Sequence, residues 1–212
     1  ALRHTYMLTS ALVSFCLSLL PGATFTPRVT PLARAAVLLQ EAPVEIQEPE
    51  LKSNVGFDFV PLLTALKAQD FLEADGLTRS GLITLAGEAA VKRGYVYFSE
   101  VPKLPKEDMA TMERLWQGYS DGKFGYSVQA KVFNSKKCSR KLEKMYTQIG
   151  WSKPDGSLLR WLPGGNAKGD EFIYELEKAP KGHLPLTSTL RGTQLLLNLL
   201  DLEVWKDDEF SK

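Results

Sequence analysis

Residues 105–133 read PKEDMATMERLWQGYSDGKFGYSVQAKVF, and this stretch predicts two helices separated by a turn. Acidic side chains at Glu107 and Asp108 suit the first turn of a helix, because the helix dipole favours anions there. Gly122 ends the first helix within Ser120-Asp121-Gly122, since glycine readily adopts the left-handed conformation. The second helix passes through Val128, Val132 and Phe133. The apolar residues that recur at spacings of three and four in the first helix are Met109, Met112, Trp116 and Tyr119.

Similar periodicity predicts helices on both sides of this stretch. Asp58 and Asp70 are each placed to cap a helix, because a carboxylate there accepts a hydrogen bond from a free backbone N–H. Gly76 and Gly81 interrupt the second of these helices, at a cost of ~1 kcal/mol each relative to alanine. Residues 94–98 (GYVYF) have local strand propensity. Each of three further predicted helices has one face of residues at helical spacing, and a leucine-rich segment at 189–202 predicts the last helix. The three faces are Phe59, Leu62, Leu63 and Leu66; Phe71, Ala74, Thr78, Leu82 and Leu85; and Leu142, Met145, Tyr146 and Ile149.

A long irregular segment precedes the last predicted helix. Residues 150–185 are rich in glycine, proline and tryptophan, and they indicate a structured loop rather than a helix or strand. Loops of this length inside a domain commonly carry function. The predicted fold is therefore all-α: a compact helical domain with long structured loops.

The composition excludes several kinds of site. The 212-residue chain is 44% apolar and 24% charged, with a formal net charge of +1, so it has no net attraction to nucleic acid. Its two cysteines, Cys16 and Cys138, are too few for a disulfide framework or a four-thiolate zinc site. Its two histidines, His4 and His183, are too far apart in sequence for a metal-binding His-x-x-x-His helix. We therefore assign no metal ligands.

The first 40 residues have the composition of an organelle-targeting leader. They contain three arginines, eight Ser or Thr residues, no lysine and no acidic residue. A secretory signal with Ala33-Arg34-Ala35 as its cleavage site is the alternative. The apolar segment 7–20 would reach only ~21 Å as a helix, which is short of a bilayer core of ~30 Å. We interpret residues 41–54, with four glutamates and two prolines, as an acidic linker, 55–206 as the helical domain, and 207–212 as a C-terminal tail.

Signatures of catalysis are weak. Residues 164–169 (GGNAKG) resemble a phosphate-binding loop, but Asp170 follows the last glycine where a lysine is needed, and a carboxylate repels phosphate. His183 is the only histidine of the helical domain. We interpret it as a residue whose ring bonds to backbone carbonyls and holds the loop; axial haem ligation is the alternative.

One segment combines a cysteine with clustered cations. A reactive thiol is conceivable at Cys138 among these cations, but no base partner is evident, so an incidental surface cysteine is favoured over a reactive one. The cluster fits a solvated helix face, or a surface for an acidic partner or an anionic membrane. Its members, hereafter the basic cluster, are Lys131, Lys136, Lys137, Arg140, Lys141 and Lys144.

Aromatic side chains lie beside arginines in the predicted loops. Tyr95, Tyr97 and Phe98 follow Arg93, and Trp151, Trp161 and Phe172 lie in the long loop with Arg160. Bulky side chains on loops fit either an apolar ligand-binding surface or filling of the core.

Several strings in the chain resemble the Genomes Uncoupled Four family of porphyrin-binding regulators. The resemblance covers roughly residues 57–205, in one order. Its strings are 71–75 (FLEAD), 85–88 (LAGE), 93–100 (RGYVYFSE), 115–116 (LW), 119–129 (YSDGKFGYSVQ), 149–151 (IGW), 179–187 (APKGHLPLT) and 190–192 (LRG).

The resemblance implies an all-α core shaped like a cupped hand, whose apolar palm holds a planar tetrapyrrole between two loops. It implies no catalysis. It implies instead binding of protoporphyrin or magnesium-protoporphyrin, contact with the large porphyrin-binding subunit of magnesium chelatase, and activation of that enzyme in chlorophyll biosynthesis, with a link to retrograde signalling. The leader in front of the core resembles the plastid form, which implies the chloroplast stroma, with peripheral membrane contact as an option.

Site residues are implied by the same resemblance. The palm positions are Leu85 and Arg93 on the first loop, Trp161 and Phe172 on the second, and Ser188 and Arg191 near the last helix. The family pattern has an asparagine at the position of Ser188 and a second arginine at that of Gln194, so this chain departs from it at both. A tyrosine at position 95 replaces the tryptophan that is common there.

A porphyrin needs apolar walls and a guanidinium for its propionates. Burial of ~300 Å² of ring would contribute about 7 kcal/mol before the costs of association, which is equivalent to a dissociation constant on the order of 10 µM. The alternatives are a haem or linear-tetrapyrrole sensor, and a tetrapyrrole-modifying enzyme that uses His183.

Overall fold

The computed structural model describes residues 48–160, 171–187 and 193–211. All of them belong to one compact unit of the chain, residues 45–212. The described residues form α1 (Val60–Lys67), α2 (Phe71–Leu85), α3 (Glu88–Arg93), α4 (Lys106–Gly118), α5 (Tyr126–Asn134), α6 (Leu142–Gln148), α7 (Thr193–Leu200) and α8 (Asp208–Ser211), with 3₁₀ turns at Val101–Lys103 and Glu203–Lys206.

The all-α prediction is confirmed. No β-strand occurs in the described residues, and the only strand-like pairing among them is an isolated antiparallel bridge between Ser152 and Leu158. The strand propensity of residues 94–98 is not realised, because they form turns and irregular backbone after α3. The described parts of 150–185 are irregular, as predicted.

Of the two predicted N-caps, Asp70 is confirmed as the cap of α2, but the N-cap of α1 is Phe59, and Asp58 lies one residue before it. The Asp70 carboxylate accepts from the Glu73 backbone N–H at 3.0 Å, and the Asp58 carboxylate accepts from the Val60 N–H at 2.9 Å. The cost of Gly81 within α2 is offset by close packing, since a Cβ atom there would lie 3.1 Å from the ring of Phe57 and 3.3 Å from Met112 Cε. Gly81 thus lets α2 approach the chain that precedes α1.

Aromatic side chains from α2, from α4 and from the turn before α5 meet in the core. Phe71 of α2 lies 6.1 Å from the ring of Trp116 and 5.2 Å from that of Phe124, between ring centroids. The indole N–H of Trp116 donates to the Thr78 hydroxyl at 2.9 Å, so its polar atom is satisfied within the core. All three rings are essentially inaccessible to solvent.

A buried carboxylate joins α4 to α5. Glu113 accepts hydrogen bonds from the backbone N–H groups of Tyr126 and Ser127, from the Ser127 hydroxyl and from the Gln117 amide, at 2.6–3.1 Å. Burial raises the pKa of Glu113, and these four donors partly offset that rise. Gly125 permits the approach, because a Cβ atom there would lie 2.3 Å from a Glu113 carboxylate oxygen.

Both ends of the described fold are held by polar contacts to α4. At the N-terminal end, Asp108 accepts from the Ser53 hydroxyl and from the Asn54 N–H. At the C-terminal end, Arg114 makes two hydrogen bonds to Glu209 of α8. Residues that we assigned to the linker and to the tail therefore contact the helical core.

The placement of Cys138 corrects one expectation. Its side chain is 1% exposed, so it is a buried cysteine and not a surface one. The turn between α5 and α6 directs it inward, with Ser139 and Arg140 both at positive φ (50° and 56°). The lysines on either side remain exposed.

Candidate functional site

Arg93, the last residue of α3, lies at the start of an exposed aromatic loop. We call residues 94–100 the first loop. Gly94 takes the left-handed conformation that ends α3. The Arg93 guanidinium carbon lies 4.3 Å from the ring centroid of Tyr97 and 5.4 Å from that of Tyr95, so the cation stacks on both rings. Tyr97 and Phe98 are 46% and 52% exposed, which leaves aromatic surface open to a ligand.

Glu100 closes the first loop back onto Arg93. Its two carboxylate oxygens accept from Arg93 Nη2 at 2.8 and 2.6 Å, and one of them also accepts from the Tyr97 backbone N–H at 2.8 Å. The Tyr97 N–H and the Arg93 guanidinium hold the pKa of Glu100 below its usual value. Arg93 is thus paired with a carboxylate of its own chain.

Helix α7 holds the far end of the first loop. The Asn198 amide donates to the Phe98 carbonyl at 2.6 Å and accepts from the Gln194 amide at 2.9 Å. Gln194 itself is exposed in the first turn of α7. Gln194, which stands where the family pattern has an arginine, therefore supports Asn198, the residue that anchors the first loop.

The second loop, residues 150–185, is closed at its base by ionic and backbone contacts. The Arg160 carbonyl accepts from the Glu171 N–H at 3.3 Å, and the Arg160 N–H donates to the Glu171 carboxylate at 3.0 Å. The other Glu171 oxygen accepts from Lys153 Nζ at 2.6 Å. Lys153, and then Arg160, lower the pKa of Glu171. These contacts join the two ends of the segment that contains Trp161.

Phe172 lies next to this base, between two buried rings. Its ring centroid is 6.2 Å from that of Trp151 and 5.8 Å from that of His183. Trp151 is 2% exposed and stacks on Tyr146 of α6 at 5.9 Å. Phe172 is only partly buried, so one part of its surface packs against the core and another part is accessible.

His183 is a buried anchor of the second loop. Its side chain is fully buried, its Nδ1 lies 2.7 Å from the Ile149 carbonyl, and its Nε2 accepts from the Ile173 N–H at 3.0 Å. An Nε2 that accepts a hydrogen bond carries no proton, so Nδ1 is the protonated nitrogen and donates to Ile149. Both ring nitrogens are used by the backbone, which confirms the loop-holding interpretation.

The segment after His183 passes through the interior and ties the second loop to the helices. Gln129 of α5 donates to the carbonyls of Gly182 and Pro185 at 3.0 and 2.8 Å. The Leu186 N–H donates to the buried Asp75 of α2 at 2.6 Å, and the same carboxylate pairs with Arg79. This anchoring fixes where the second loop leaves the core.

The six implied site residues have different outcomes. Trp161, Ser188 and Arg191 lie outside the described residues. Leu85, at the end of α2, is 7% exposed and packs in the core. Arg93 and Phe172 lie where loops meet the core and retain accessible surface. Their joint role as a palm stays a prediction.

Sequence reasoning missed Glu100, Glu171 and Asn198 as supports of the two loops. Their partners lie 7, 11 and 100 residues away along the chain. Helical periodicity reports neighbours at three and four positions only, so none of these pairs leaves a periodic signal.

The basic cluster is exposed throughout. Arg140 pairs with Asp201 at 2.8 Å, and no ion pair involves Lys136, Lys137, Lys141 or Lys144 among the described residues. Within that same part of the chain, no helix is both long and apolar enough to cross a bilayer. No group of three His, Cys, Asp or Glu side chains there is arranged to hold a metal ion.

Comparison with known proteins identifies the family of this chain. The sequence model of the GUN4-like family matches residues 52–202, which is more than half of the chain. This chain belongs to the GUN4-like family. The match agrees with the resemblance to the Genomes Uncoupled Four proteins, and the relatives below place the chain in the plastid and cyanobacterial branch of the family.

The relatives include plastid and cyanobacterial proteins. The chain is 46% identical over 130 residues to the tetrapyrrole-binding protein, chloroplastic, of Arabidopsis thaliana, covering 60% of this chain and 48% of the relative. It is 39% identical over 155 residues to the Ycf53-like protein of Synechocystis, covering 73% and 62%. The matched region thus spans about half to three fifths of these relatives.

Two solved structures share the fold. The ligand-free structure of Arabidopsis thaliana GUN4 is 41% identical with a TM-score of 0.62, and the match covers 70% of this chain and 98% of that one. GUN4 from Chlamydomonas reinhardtii is 38% identical with a TM-score of 0.65, covering 76% and 97%. The helical core is therefore the GUN4 fold.

Proposed function

We propose that this protein binds tetrapyrroles without transforming them. The observation that carries the proposal is its membership of the GUN4-like family, with 46% identity to a relative named for tetrapyrrole binding. The relative is also named chloroplastic, which supports a plastid location for this chain. We extend the proposal to a palm formed by the first and second loops.

The first loop has the chemistry that a porphyrin requires. The open faces of Tyr97 and Phe98 offer apolar contact, and the Arg93 cation is held beside them by stacking. Phe172 offers a partly exposed ring at the base of the second loop. Flat aromatic surfaces with one cation match a planar ligand that carries carboxylates at one edge.

The buried His183 supports a binding role over an enzymatic one. A general acid or base must exchange a proton with its substrate, and an axial ligand must offer a nitrogen lone pair to the metal. The Nδ1 proton of His183 is directed to Ile149, and the Nε2 lone pair is taken by the Ile173 N–H. The ring would have to leave its place in the core to do either.

A more specific proposal concerns the identity of the ligand and of the partner protein. We propose protoporphyrin or magnesium-protoporphyrin as the ligand and the large porphyrin-binding subunit of magnesium chelatase as the partner, with faster magnesium insertion as the result. Four lysines of the basic cluster are exposed and take part in no ion pair among the described residues, and they supply a charged surface for such contacts: Lys136, Lys137, Lys141 and Lys144.

Titration of the protein with protoporphyrin, followed by quenching of tryptophan fluorescence, tests the proposal. We expect saturable binding in the micromolar range, because burial of the ring together with pairing of a propionate and a guanidinium offsets the costs of association. Phe172→Ala should weaken binding by roughly tenfold, because an aromatic contact of ~1–2 kcal/mol is lost. The same variant should raise the rate of the chelatase less than the wild-type protein does.

Val60→Ala is the matched control, since Val60 is an exposed apolar residue of α1 at 54%. It should bind protoporphyrin like the wild type. Absence of saturable binding in the wild-type protein would contradict the function. Equal affinity of the wild-type and Phe172→Ala proteins, with both shown to be folded by circular dichroism, would remove the second loop from the site.

A further inference from the structure

The Arg93 guanidinium is blocked for bidentate recognition by Glu100, the last residue of the first loop. Glu100 places both oxygens on a single nitrogen, Nη2, at 2.8 and 2.6 Å. The buried Nε has no hydrogen-bond partner, and no partner is present for Nη1 among the described residues. The pair is therefore not the parallel two-bond arrangement that arginine and carboxylate usually adopt.

The choice of nitrogen has a geometric consequence. A carboxylate can bind a guanidinium through two nitrogens in two ways: side-on through Nε and Nη2, or end-on through Nη1 and Nη2. Nη2 takes part in both arrangements. While Glu100 holds Nη2, a second carboxylate can make only a single bond to Arg93, and it also meets the negative charge of Glu100.

Glu100 is held where it is by more than Arg93. The Tyr97 N–H donates to it at 2.8 Å, and its side chain is 21% exposed, so it is only partly screened by water. Loss of the Arg93 contact would leave the Tyr97 bond in place. Glu100 can therefore stay in the first loop while an incoming carboxylate takes Nη2.

We propose that Glu100 is a specificity-determining residue that competes with the carboxylates of the ligand for Arg93. This inference rests on the proposed function. According to this inference, Glu100 lowers the affinity of the protein for ligands with free carboxylates and does not change its affinity for uncharged ligands. The protein then holds an acidic tetrapyrrole more weakly than its aromatic surface and its arginine would allow, which favours release of the ligand.

The test compares protoporphyrin with its dimethyl ester on the wild-type protein and on Glu100→Gln. Glutamine keeps the size of the side chain and an oxygen for the Tyr97 N–H, and it removes the charge. We expect Glu100→Gln to bind protoporphyrin about three- to tenfold more tightly, the range for removal of one partly screened charge, with unchanged affinity for the ester. In Arg93→Gln combined with Glu100→Gln the gain should vanish.

Glu88→Gln is the matched control. Glu88 lies at the other end of α3, its side chain is 93% exposed, and its only ion pair within the described residues is with Lys92 at 3.9 Å. It should change neither affinity. An equal gain for the ester, or a gain of the same size in Glu88→Gln, would mean a general charge effect and overturn the inference.

Two other results would also overturn it, and they are distinguishable. Weaker binding of both ligands by Glu100→Gln would show that Glu100 only holds the loop in shape, and the proposed function would survive. A wild-type protein that binds neither ligand would refute the proposed function, and this inference with it.

Discussion

Gly125→Ala is expected to lower the free energy of unfolding by roughly 3–5 kcal/mol. Gly125 has φ 133° and ψ 160°, a region of backbone conformation open almost only to glycine. The new methyl group would also lie 2.3 Å from the Glu113 carboxylate, which must then withdraw from its four donors and leave them unpaired in the core. Urea unfolding measures the change.

Gly156→Ala is the control for the backbone part of that effect. Gly156 also has positive φ, at 84°, but no atom lies within 4 Å of the position of a Cβ. It should cost only ~1–2 kcal/mol, the penalty for an L-residue in the left-handed region. Equal losses in the two variants would contradict the structural role assigned to Glu113.

His183→Ala is expected to cost about 3–4 kcal/mol of stability and to weaken protoporphyrin binding as well. The change removes two hydrogen bonds to buried backbone groups, at Ile149 and Ile173, and leaves a cavity beside Phe172. Binding should suffer because the second loop loses its internal anchor. Urea unfolding and the fluorescence titration provide the two measurements.

Lys181→Ala, an exposed change in the same loop, is the control and should leave both quantities nearly unchanged. A stable His183→Ala protein with normal binding would contradict the anchoring role. A haemin spectrum with a ligated Soret band in the wild-type protein only would contradict it too, since the ring would then be free to coordinate iron.

The helices could be predicted from the sequence because each buries one stripe of a regular period. In α4, Met109, Met112 and Trp116 recur at that period, and all three are buried. The cap at Asp70 could be predicted in the same way, because a cap depends on residues two or three positions away; the cap expected at Asp58 falls one residue later, on Phe59.

The loops could not be predicted in the same way, since their structure depends on contacts between distant residues. Cys138 is buried in a turn whose next two residues, Ser139 and Arg140, take positive φ, a conformation that is uncommon for non-glycine residues and is not indicated by the sequence. The pairing of Arg93 with Glu100 could not be predicted from the sequence either. The family resemblance directed attention to the arginine and gave no indication of the carboxylate that occupies it.

Hydrogen exchange of the protein with and without protoporphyrin, measured by mass spectrometry, tests the central claim most directly. The claim is that a tetrapyrrole is held by the first and second loops. The account predicts slower exchange in peptides covering residues 94–100 and 158–173 on addition of the ligand, with no change at 135–148. Slower exchange confined to 135–148, or no change at either loop under saturating ligand, would contradict it.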